Sequence, residues 1–122
     1  MTAATYNLTL EQGVPKKKSF VVQNADGSLL SLSGFTGRAQ FRLYKSHPNA
    51  ALTLTTENGG ISINVSTSTV TLNFTEDNTS SLVYSQYAFD CILYNGDKTF
   101  KPIEGTCYVS QSSTKPEPQG AP

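Results

Sequence analysis

The chain has 122 residues, the size of one domain and enough to bury a core without disulfides or metals. Charged residues make up 15 % of it, against roughly 25 % in ordinary soluble proteins, and nine Lys and Arg offset nine Asp and Glu. This balance excludes an electrostatic footprint for nucleic acid or an anionic membrane, and no window approaches the ~18 apolar residues of a membrane span.

The opening "MTAATYNLTLEQG" lacks the basic and apolar regions of a signal peptide, so synthesis in a cytoplasm is expected. Its Tyr6, Leu8 and Leu10 alternate with Asn7 and Thr9 as a first strand, broken by Gly13 and Pro15. Phe20 to Gln23 reads as a second strand, and Asn24 to Gly27 as a turn in which Asp26-Gly27 takes the positive φ of a tight hairpin. After Leu30 and Leu32, a third long run from Arg38 to Tyr44 places Ala39, Phe41 and Leu43 inward and Arg38, Gln40, Arg42 and Tyr44 outward.

Three shorter strands follow, with inward sets Leu52 and Leu54, then Ile61, Ile63 and Val65, then Val70, Leu72 and Phe74. "TEDNTSSL" from Thr75 is the one helix-like stretch, with Thr75 as N-cap and Glu76 and Asp77 in its first turn. Tyr87, Phe89, Cys91 and Leu93 alternate inward along the next strand, Asn95-Gly96 reverses the chain, and Phe100 to Val109 returns, with an edge or bulge expected at Pro102. The alternation predicts an all-β sandwich or barrel over residues 1–110. Residues 111–122, rich in proline, read as a flexible tail that cannot bury enough to order itself.

Chemistry is sparse in this text. His47, the single histidine, sits beside Pro48 in a loop without a nucleophile elbow, a zinc-binding pair or a partner cysteine motif. Among carboxylates, Asp90 and Glu104 lie on the final hairpin and are able to approach one another, but both read as outward neighbours of buried residues, and Glu76 and Asp77 belong to the helical turn. Lys16 to Lys18 form the one charge run, read as a solvated edge that discourages pairing. Cys91 and Cys107 occupy inward slots and read as free thiols in a reducing compartment, a disulfide between them being the alternative that spacing in the sequence does not decide, and the sequons at Asn7, Asn64, Asn73 and Asn78 are expected to stay unmodified. No residue is assigned a catalytic, cofactor-binding or metal-ligating role.

"TYNLTLEQGVPKKKSFVVQNADGSLLSLSGFTGRAQFRLYKS", followed by "LTLTTENGGISIN", "VTLNFT" and "YAFDCILYNGD…PIEGTCYVS", resembles a recurring domain of tailed bacteriophages. The likeness spans about Thr5 to Ser110 and is to the immunoglobulin-like domain of baseplate upper proteins and to small virion proteins. It implies an immunoglobulin-like antiparallel β-sandwich with one short helical turn, without the tryptophan that usually pins such a core. It further implies a non-enzymatic assembly or adapter module in the virion, at the tail, baseplate or neck, whose partners are other virion proteins and copies of itself. Capsid decoration is an alternative, as is a host-surface carbohydrate-binding module with Tyr44, Tyr84, Tyr94 and Tyr108 as stacking faces. Truncation after Ser110 is expected to leave the thermal midpoint within a few degrees, whereas a collapse of the midpoint would show that the tail is docked.

Overall fold

Each alternating stretch becomes a strand in the computed structural model, which describes residues 4–24, 26–96 and 98–111. The strands are β1 (Ala4–Glu11), β2 (Lys16–Val21), β3 (Thr36–Arg42), β4 (Leu52–Thr55), β5 (Ile61–Asn64), β6 (Thr69–Phe74), β7 (Gln86–Asn95) and β8 (Lys98–Ser110). They form a five-stranded sheet in the order β1-β8-β7-β3-β4 and a three-stranded sheet in the order β2-β6-β5. The two sheets pack as an all-β sandwich with immunoglobulin-like strand order. The expected tail lies outside the described residues apart from Gln111.

The core forms where the inward sets of both sheets meet. Phe41 of β3 is fully buried, stacked on Phe89 of β7 at 5.2 Å between ring centroids and met edge-on at 5.5 Å by Phe74 from the opposite sheet. It takes the central place that a tryptophan holds in many sandwiches of this class. Leu54, Val70, Leu72, Leu82, Cys91 and Leu93 belong to the same buried cluster. At the start of β7, the buried Tyr87 hydroxyl accepts a hydrogen bond from the Tyr84 backbone N–H at 3.0 Å, a tyrosine corner that fixes the turn from helix into strand.

That helix, α1 (Glu76–Ser80), is capped as its sequence predicts: Thr75 accepts from the Asn78 N–H, and the Asn78 side chain accepts from the Thr75 N–H. The Pro102 expectation also holds, because the β7–β8 register shifts between Cys91 and Leu93, opposite the proline that has no N–H for the ladder.

Elsewhere the structure departs from the expected pattern. One ladder is parallel: β1 runs beside β8 from Ala4 opposite Ile103 to Glu11 opposite Ser110. Strands at opposite ends of the chain need no direct connection, so the crossover that parallel neighbours usually require is supplied by the rest of the fold. Gly105 permits this seat, since a Cβ there would collide with the Tyr6 carbonyl. The lysines lie within β2 rather than before it, and β2 ends at Val21, after which Val22 keeps a bond to Ser68 and Gln23 bridges to Leu29 across the turn. Pairing of Lys16 to Val21 with β6 outweighs the low strand propensity of lysine.

Val65 is 48 % exposed instead of inward, because Asn64 caps a 3-10 turn at Val65–Thr67 that adds a second helical segment to the one expected. Leu43 is also exposed, since β3 begins at Thr36 and ends at Arg42, shifting two residues toward the N-terminus of its expected span. Of the Asp26-Gly27 pair only Gly27 has positive φ, and the final hairpin turns at Gly96 while Asn95 stays in β7.

Phe41→Ala or Leu72→Ala is expected to cost roughly 2–5 kcal/mol through the cavity left behind. Thr53→Ala, half-buried on the outer face of β4, should cost about 0.5 kcal/mol or less. Urea unfolding of the three variants measures both; equal losses would mean that the inner and outer faces are exchanged.

Candidate functional site

The connections of the sandwich gather side chains that the strands keep apart. At one end the β3–β4 connection, residues 43–51, meets the segment joining α1 to β7, residues 81–85. The β1–β2 connection is tied to α1 from below: Gly13 N–H donates to Thr79 Oγ1 at 3.0 Å and Gln12 Nε2 to the Leu82 carbonyl at 3.4 Å.

His47 organises the first of these loops. Its Nδ1 accepts from the Asn49 N–H at 3.1 Å, its own N–H donates to the Tyr44 carbonyl at 2.9 Å, and Arg42 Nη1 donates to its carbonyl at 2.9 Å. The Tyr44 ring meets the imidazole edge-on at 5.0 Å. These bonds hold the loop in one shape and leave His47 half-buried on the wall of a shallow groove of ≈ 270 Å³. Leu43 and Ala51 line the groove on one side and Val83 and Tyr84 on the other. Val83 and Tyr84 are 60 % and 58 % exposed, although both belong to the apolar stretch that follows the helix. Leu82 just before them is fully buried, so the chain turns outward between residues 82 and 83.

The other expected residues occupy separate places. Asp90 and Glu104 do face one another across the β7–β8 ladder, but Lys101 bridges them, with Nζ at 3.2 Å from Glu104 Oε1 and 3.9 Å from Asp90 Oδ2. The hydrogen bond and charge of Lys101, with the Lys45 charge adding to them, hold the Glu104 carboxyl below its ordinary range. A general acid needs the opposite shift from the one at Glu104, and the two carboxylates share Lys101 as an ion-pair partner. Glu76 and Asp77 sit exposed in the first turn of α1. Of the four tyrosines, Tyr84 lines the groove, Tyr44 packs on the His47 ring in its wall, Tyr94 lies under Arg38 on the outer face of the larger sheet, and Tyr108 is exposed on β8.

Cys91 and Cys107 are free thiols in the core, on adjacent strands. Cys107 pairs with Tyr87 and Cys91 with Ile103, so the two are four residues out of register, about 13 Å along the strands, too far for a disulfide. Burial pushes each thiol up to about 12; the neighbouring Asp90 charge adds to this at Cys91, while the Lys16 charge opposes it at Cys107. The thiolate is the nucleophile, so both are chemically quiet. Among the described residues, no group of three or more His, Cys, Asp and Glu stands close enough to hold a metal ion, and no helix is long and apolar enough to cross a membrane.

Comparison of the chain with models of known protein families finds no match, and comparison with curated proteins finds none.

The thiols generate a prediction with a definite sign. Their pKa is higher folded, about 12, than the ordinary 9.0, so the unfolded chain loses protons first as pH rises. Their contribution to stability is complete below about pH 9 and is lost progressively as pH rises towards about 12. Native protein should leave both thiols unreactive to a disulfide reagent at neutral pH, and denatured protein should react at both. Reaction of native protein at the denatured rate would contradict their burial.

Proposed function

We propose that this chain is a non-enzymatic structural module of a bacteriophage virion, joining copies of itself and other virion proteins at the tail, baseplate or neck. The observation that supports a contact role is the end of the sandwich described above. Of the nine exposed large hydrophobic side chains among the described residues, four, Leu43, Tyr44, Val83 and Tyr84, belong to the two connections that meet at the groove. Exposed apolar side chains scattered singly are ordinary, whereas a contiguous cluster marks a surface that another molecule covers. The shape of the loop beneath it is set in advance by Arg42, His47 and Asn49, which lowers the ordering cost of binding. Placement in a virion rests on the resemblance of the sequence to bacteriophage domains.

One feature favours a carbohydrate-binding reading as the alternative. The groove combines the Tyr84 ring with Asn49 and Ser81, an aromatic face beside neutral hydrogen-bonding groups.

A double variant, Val83→Ser with Tyr84→Ser, separates the two readings. It is expected to fold with an unchanged melting midpoint and to be depleted several-fold from purified particles, as counted by mass spectrometry. Particle maps should show many symmetry-related copies with this end set against neighbouring proteins. Absence of the unaltered chain from particles would overturn the virion reading, and sugar binding on a glycan array, lost in the double variant, would favour the alternative.

A further inference from the structure

A second surface, independent of that groove, is built into the edge of the smaller sheet. In the order β2-β6-β5, β2 has a neighbour on one side only. Val22 N–H donates to the Ser68 carbonyl, so by the period of two the backbone groups of Lys18 and Phe20 face β6, and those of Lys17, Ser19 and Val21 face away from it. The natural candidate to cover them is β1, but β1 pairs with β8 in the other sheet.

Side chains close only the first half of this edge. Lys16 Nζ donates to the Thr9 carbonyl at 2.6 Å, and the Lys18 ammonium lies over the Tyr6 ring at 5.0 Å, so both tie β2 to β1. Beyond Lys18 the protection ends. Between the last part of β2 and the first residues of β1 runs a groove of ≈ 360 Å³, lined by Ala4, Tyr6, Phe20, Val22, Gln23 and Ile103. Val21, at its rim, is 51 % exposed.

We infer that this edge accepts an extended, acidic segment of a partner protein as an added strand, bonded to Ser19 and Val21 and placing apolar side chains in the groove. Main-chain hydrogen bonds supply such pairing, and alternate side chains supply its specificity. The charge of the partner follows from the three consecutive lysines, none of which makes an ion pair among the described residues. A carboxylate passing Lys17 gains an ion pair there, whereas a second copy offering its own β2 would bring two runs of three lysines together.

The test is a titration of the full isotope-labelled chain, followed by amide resonances, with an eight-residue peptide that alternates valine with glutamate and threonine. Saturable shifts are expected at the amides of Ser19 to Gln23 and Ala4 to Tyr6. N-methylation of the peptide on the amides that face β2 should weaken binding roughly tenfold or more, through the loss of backbone hydrogen bonds, while methylation of the alternate set should not. Lys17→Glu, a change at an exposed side chain, should weaken the acidic peptide and strengthen a lysine counterpart. The inference is overturned by an absence of shifts at millimolar peptide, by shifts that survive both methylation patterns, or by shifts centred on β4 or β5. Concentration-dependent shifts of the same amides without peptide would overturn it in favour of a second copy.

Discussion

Phe41, held between Phe89 on its own sheet and Phe74 on the other, is the contact on which the rest of the structure depends. With no tryptophan in the chain and both described cysteines free, the sheets are joined chiefly by burial and packing, with the Lys16–Thr9 hydrogen bond and the Lys18–Tyr6 contact at one edge. Each ring contributes on the order of 2–3 kcal/mol through burial, with about 1 kcal/mol more for each aromatic pair. The cluster also sets register. A slip of one residue in β3 would turn Phe41 outward and bring Arg42, which is bonded to Gln40 and His47, into an apolar interior. Because the inner faces carry the cohesion, the outer faces are free to be Thr, Ser and Asn, as in the Ser19–Thr71 and Ser62–Asn73 hydrogen bonds across the smaller sheet.

Much of this was legible in the sequence because period-two alternation is a local signal. Leu8, Leu10, Phe41, Leu72, Phe89 and Cys91 all lie on the side their strands predict. The failures fall where a side chain competes with the ladder or where pairing is non-local. Val65 continues the alternation of Ile61 and Ile63, but the Asn64 side chain accepts the Thr67 N–H and draws the backbone into a turn. Leu43 continues that of Ala39 and Phe41, but its strand has already ended. The partner of β1 lies about a hundred residues away, and no local pattern reports whether that partner runs parallel or antiparallel.

The candidate site was less legible, for a related reason. Tyr44 and Tyr84 stood out as exposed aromatics, yet the groove that Tyr84 lines, with Tyr44 packed on its His47 wall, joins two connections some forty residues apart. The clearest available signal was the pair Val83-Tyr84 directly after the buried Leu82, two large side chains that a single turn cannot both hide. Asp90 and Glu104 were placed correctly on facing strands, but the lysine that neutralises them comes from the irregular part of β8 beside Pro102, where register is not readable in advance. Lys16 to Lys18 were recognised as edge protection, and only the structure shows that the protection stops halfway along the strand.

The treatment of edges connects this fold to its proposed use. Of the four outermost strands, β4 and β5 are four residues each, too short to template much pairing, β2 is shielded over its lysine half, and the eight-residue β1 meets those lysines through Thr9 and Tyr6. Besides the free side of β1, two places stand open beside grooves: the second half of β2 and the apolar end near Tyr84. Each is small beside the ~1,200–2,000 Å² that stable protein pairs bury, so neither would hold two free molecules together for long. In a symmetric particle the same weak contacts act together, because engaging the first raises the effective concentration for the second. A neutral net charge suits that setting: many copies crowd together without mutual repulsion, and selectivity falls to local features such as the lysine run.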